Sequence, residues 1–74
     1  MRSATGTVNA VQEGRFQLAT DDGRFFEFVL HHRASVEPQD LSQLQGSRAR
    51  VRVEFSGSKH LIAGIARRLS TEDR

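Results

Sequence analysis

Along most of the chain, apolar and polar residues alternate with a period of two, the pattern of strands that bury one face. In RFQLAT, Phe16 and Leu18 stand against Arg15 and Gln17. In FFEFVLHH, Phe26, Phe28 and Leu30 share one face and Phe25, Glu27, Val29 and His31 the other. The second set holds an acid and an imidazole and is assigned outward. SRARVRVEF is the clearest run, with Ala49, Val51, Val53 and Phe55 on the face opposite Arg48, Arg50, Arg52 and Glu54. TGTVNAV, β-branched at Thr5, Thr7, Val8 and Val11, predicts a first strand broken at Gly14. LIAGIARRL predicts a last strand, apolar on both sides up to Ala66, in which Gly64 signals a bend or a close backbone approach. DDG at 21–23 predicts a hairpin turn, of the primed type that Asp-Gly favours. These assignments place Phe16, Phe26, Phe28 and Phe55 in the core and leave Phe25 as the exposed ring.

One stretch breaks the alternation. In EPQDLSQLQG, Pro38 suits a first helical turn, Leu41 and Leu44 are three apart, and Gly46 stands where a C-terminal cap belongs. A short helix or single 3₁₀ turn is predicted, its leucines plugging one end of the sheet. STEDR is polar, which places a single domain at 1–69 and a disordered tail at 70–74. The fold class is therefore all-β. Three strands, a short helix and two further strands follow the order of the OB-fold, a small five-stranded Greek-key barrel with its helix between strands three and four. An SH3-like barrel is the competing architecture.

Composition narrows the classes further. A chain of 74 residues builds one small domain with an economical core. It has no cysteine, so disulfides and thiolate metal sites are excluded and apolar packing must suffice. MRSATGTVNAV lacks an apolar signal region, and no stretch approaches the roughly 18 apolar residues of a membrane span. A cytoplasmic protein without membrane contact is expected. The net charge of +2 is a mild basic bias, compatible with a polyanionic partner without requiring one.

TGTV followed by EGRFQLATDDG resembles the opening of the cold-shock domain family, mainly over residues 5–23, with looser echoes in GSRARVRVEF and AGIARRL. The resemblance implies an OB-fold barrel whose outer sheet face binds single-stranded RNA or DNA by stacking bases on aromatic rings. Aligned without a gap, EGRFQL puts Arg15 and Gln17 at the family's stacking positions and turns Phe16 and Leu18 inward. Asn9, Ala10 and Val11 replace a basic and aromatic segment of the family. Stacking is thereby reduced to Phe25.

Arginine supplies the remaining candidate chemistry. Guanidinium groups make charge-assisted bonds to phosphate oxygens, so Arg48, Arg50 and Arg52 on one strand face, joined by Arg15, Gln17, Phe25 and His31, define a candidate nucleic-acid-binding surface. The alternative is a solvated face whose arginines pair with Glu27, Glu54 or other acids across the sheet. Arg67 and Arg68, with Lys59 and His60 upstream, form a second basic patch, and Arg33 beside His31 and His32 extends either one. Adjacent histidines on a strand point to opposite faces, poor geometry for chelating a metal together. Asp21 and Asp22 sit at a wet turn, where nothing separates their proton affinities for acid–base work. With no phosphate loop and no nucleophile beside a base, a non-enzymatic protein without metal or cofactor is expected. Its expected partner is single-stranded RNA or DNA. Alternatively, the scaffold is a protein-interaction or homo-oligomerisation module with an outer patch of Val29, Phe25 and the last strand.

Overall fold

The computed structural model describes residues 2–57 and 63–72. Five strands and one helix follow in the expected order: β1 (Arg2–Gln12), β2 (Arg15–Thr20), β3 (Phe25–Leu30), α1 (Pro38–Ser47), β4 (Arg50–Ser56) and β5 (Gly64–Thr71). They close into a barrel in the order β1-β2-β3-β5-β4, with β4 returning to β1. β3 and β5 run parallel and the other neighbours antiparallel, the connectivity of an OB-fold.

Two tight turns set the register of the first three strands. Between β1 and β2, Glu13 and Gly14 both adopt positive φ (50° and 80°), the two-residue primed turn whose twist matches the strands. The turn at 21–23 differs from the expected primed form. Only Gly23 there has positive φ (85°), the Gly23 N–H donates to the Thr20 carbonyl at 3.0 Å, and the Thr20 N–H donates to the Arg24 carbonyl at 2.9 Å. The glycine thus takes the left-handed position after the turn, which frees Asp21 and Asp22 from positive φ.

Inside the barrel lie Val8, Phe16, Leu18, Phe28, Val51, Val53, Ala66 and Leu69, closed at one end by Leu41 of α1. The alternation of β2 and β4 therefore points inward as read. Two ring assignments change. Phe55 is half-buried and Phe26 is 37% exposed. β5 first pairs with β3 at Phe28 opposite Gly64, so this part of β3 extends past the paired section of β5 and Phe26 lies at the rim. Gly64 shows the expected close approach, since a Cβ there would lie 3.0 Å from the Phe55 ring and 3.2 Å from that of Phe28.

The helix also ends differently from its sequence signals. Pro38 starts it as expected, and the Asp40 carboxylate accepts the Glu37 N–H at 2.9 Å. Gly46 lies within the helix, and Arg48 takes the left-handed cap at φ 55°. Arg48 is consequently off the strand face on which alternation put it, because β4 begins at Arg50. At its other end β5 runs through Thr71, with Ser70 and Thr71 paired to Arg52 and Val51, so the ordered sheet passes the boundary expected at 69. Residues 73–74 of the expected tail lie outside the described residues.

Two polar pins join helix and connector to the barrel. A bulge between Val8 and Ala10 leaves the Asn9 carbonyl free, and Gln45 of α1 donates to it at 2.9 Å. Past Leu30 no β3 backbone pairs with β5, and Ser35 takes its place: its hydroxyl donates to the Leu69 carbonyl and accepts the Leu69 N–H, both at 3.1 Å. One side chain thereby satisfies two backbone groups that would otherwise lack partners.

Candidate nucleic-acid interface

Inward packing of Phe16, Leu18 and Phe28 forces their neighbours outward, so Arg15 and Gln17 of β2 and Phe25, Glu27 and Val29 of β3 form one outer face. Phe25 is 62% exposed, the open ring of the molecule as read. Register then joins it to an arginine. Phe25 stands opposite Ala19, Ala19 opposite Thr7, and Thr7 opposite Arg50. This cross-strand row spans β3, β2, β1 and β4, and the small side chains of Ala19 and Thr7 leave the path between ring and guanidinium low.

The middle of the β2–β3 face is occupied. Gln17 accepts the Asn9 side-chain N–H at 2.8 Å and donates to the Glu27 carboxylate at 3.2 Å. Glu27 therefore stands between Phe25 and Val29 along the outer face of β3, and separates Phe25 from Arg15 and His31.

Several arginines are ion-paired, as the reading of a solvated face expects. Arg50 pairs with Asp21, Arg24 with Asp22 at 3.4 Å, and Glu54 with Arg68 at 3.9 Å. These pairs are exposed, where an ion pair contributes little to stability. Arg52 projects beside Arg50 from β4, opposite Thr5. Arg48 stands apart at the end of α1. The seven sequence candidates thus divide into three groups: Phe25, Arg50 and Arg52; Arg15 and Gln17 with His31 beyond; and Arg48 alone.

His31 and His32 lie past the end of β3, where the opposite-faces rule lapses. Their rings stack, with centroids 4.4 Å apart. His31 donates its backbone N–H to the Ala66 carbonyl at 2.8 Å, which sets it beside Arg67 of β5. Sequence reading let Arg33, beside His31 and His32, extend either basic patch, because no local signal announces the parallel pairing of β3 with β5. Lys59 and His60 of that patch lie outside the described residues. Desolvation, then the charges of Arg67, His32 and Arg33, lower the His31 pKa below its ordinary 6.5. A depressed histidine contributes stability that is present above about pH 6.5 and is lost as pH falls toward the folded-state value. Asp22 is also lowered from its ordinary 3.8, chiefly by the Thr20 hydroxyl bond, so its contribution is lost at more acidic pH. Among the described residues, no three His, Cys, Asp or Glu side chains group as a metal site, and no helix is long and apolar enough to cross a membrane.

The class defined here is a small closed β-barrel of OB-like topology with a mixed-charge outer face. No family model matches the chain, and no curated protein matches it.

Proposed function

We propose that this barrel binds single-stranded RNA or DNA, weakly and with little sequence preference, and that it is not an enzyme. The observation carrying this reading is the row from exposed Phe25 through Ala19 and Thr7 to Arg50. At about 4.8 Å between strands, the row covers roughly 14 Å along the surface, offering a stacking ring at one end and a phosphate-binding guanidinium at the other. Arg52 adds a second cation beside it. The cold-shock-like opening at residues 5–23 supports the same reading, with stacking concentrated on Phe25 because Arg15 and Gln17 occupy the positions of the family's rings. Few side chains on this surface suit base-edge recognition, so phosphate contacts carry most of the affinity.

Fluorescence anisotropy with labelled short oligothymidylate and oligouridylate tests the reading. Phe25→Ala is expected to raise Kd at least about fivefold, from a loss of about 1–3 kcal/mol per stacked base. Arg50→Gln with Arg52→Gln is expected to weaken binding and flatten its salt dependence by about 0.7 logarithmic units for each phosphate that is no longer neutralised. Binding unaffected by all three substitutions would reject this surface, and no binding at low salt would reject the function.

A further inference from the structure

A basic cluster distinct from the row forms where β3 meets β5. His31, His32 and Arg33 come from the connector after β3, and Arg67 arrives from β5 through the parallel pairing of Leu30 with Ala66. Arg15 flanks the cluster from β2, opposite Val29. We propose that this seam is a proton-dependent phosphate site, in which His31, His32, Arg33 and Arg67 bind the phosphodiester backbone of a single strand more tightly as the His31 imidazole becomes charged.

The hydrogen bonding explains the proton dependence. His31 Nδ1 accepts the Arg33 backbone N–H at 3.1 Å, so the neutral ring carries its proton on Nε2. A second proton must enter at Nδ1, which breaks this bond and turns both ring nitrogens into donors. An imidazolium at His31 is repelled by the guanidiniums of Arg33 and Arg67, and an anion against them removes that repulsion. Protonation and anion binding therefore favour each other, by the reciprocity that governs linked equilibria. Desolvation is the first cause of the lowered His31 pKa, and the charges of Arg67, His32 and Arg33, which an anion offsets, are the next. Facing groups on the other elements are Glu13 of the β1–β2 turn and Glu37 at the start of α1, which line the hollow beside the histidines, and, outside that hollow, Arg15 of β2 and Arg67 of β5, whose Nε donates to the Ser56 hydroxyl oxygen at 3.1 Å. The two acids favour protonation and oppose the anion, while the arginines do the reverse. A metal cation is the poorer occupant, because Nδ1 of His31 is engaged and the neighbouring guanidiniums repel it.

The inference deepens the nucleic-acid reading and rests on it for the identity of the polymer. Two probes separate them: oligothymidylate, and an abasic phosphodiester oligomer of the same length that has no base to stack. Neither backbone titrates between about pH 5.5 and about pH 7.5, the range in which histidine charge changes. At constant ionic strength, both probes are expected to bind about tenfold more tightly at the lower pH, and amide NMR shifts should gather at residues 31–33 and 67. The double variant His31→Asn with His32→Asn should bring the ratio of affinities close to one, and Arg67→Gln should weaken binding at both pH values. Spectra of the free protein at each pH establish that the barrel stays folded. Oligothymidylate binding that depends on Phe25 but not on pH would overturn the phosphate site and leave the proposed function standing. Acid-enhanced abasic binding, with oligothymidylate indifferent to Phe25→Ala, would support the site and reject the stacking row. Binding of neither probe at either pH would overturn both.

Discussion

Gly6→Val is expected to leave no cooperatively unfolding barrel, and Gly6→Ala to lose more than about 3 kcal/mol in chemical denaturation followed by circular dichroism. A domain of this length has roughly 4–11 kcal/mol in total, so either change consumes much of it. Gly6 stands opposite Thr20 of β2 on one side and Val51 of β4 on the other. A Cβ at this position would fall on the Ala19 carbonyl oxygen, and within 2.8 Å of the Ala19 carbonyl carbon and the Thr20 Cα. All three are backbone atoms of the neighbouring strand, so no rotamer change relieves the overlap. Relief requires parting β1 from β2 where β1 also holds β4. Gly46→Ala gives the contrast, because a Cβ there meets nothing within 4 Å, and a helical alanine should gain about 0.5–1 kcal/mol. A neutral Gly6→Ala would show that β1 and β2 separate at Thr20 at little cost.

Phe28→Ala is expected to cost about 3–5 kcal/mol, lowering Tm by at least about 12 °C, whereas Phe25→Ala should stay within about 0.5 kcal/mol of the parent. Phe28 is 1% exposed and stands at the centre of the aromatic packing. Its ring centroid lies 4.9 Å from Phe55 in an edge-on arrangement and 5.3 Å from Phe16. Removing it leaves a cavity at the level where Gly64 brings β5 against β3, and rigid strands on both sides limit collapse into the space. Comparable losses for Phe25 and Phe28 would mean that β3 presents its other face to the core.

How far these features were legible depends on the range of the interactions behind them. Alternation at Arg15–Leu18 and at Val51 and Val53 reports a local property, the two faces of one strand, and it placed the inward residues correctly. Pro38, Leu41 and Leu44 did the same for the helix. Phe26 was misplaced because burial at a strand end depends on where its neighbour begins, and β5 first pairs at Phe28. Gly46 looked like the cap, yet chain direction after α1 put the left-handed residue at Arg48 and removed it from the β4 face. Within the candidate interface, Phe25 was legible from face assignment alone. Its alignment with Arg50 required the registers of three strand pairs, and the meeting of His31 with Arg67 required a parallel pairing between distant segments.

That parallel seam also governs the order in which the barrel assembles and opens. β1, β2 and β3 are joined by short turns and can zip together locally, whereas Phe28 and Gly64 are 36 residues apart (64 − 28) and Thr7 and Arg50 are 43 apart (50 − 7), so closing β5 on β3 and β4 on β1 carries the largest loop-closure costs and comes late. Among the described residues the seam has three paired positions, the shortest ladder of the barrel. Its amides, that of His31 among them, should exchange with deuterium sooner than those of β2 or β4 in native-state hydrogen exchange. A backbone phosphate bridging His31 and Arg67 would tie the two sides of this weakest closure together, making the ligand a fastener whose occupancy is read as slower exchange at the seam and little change elsewhere.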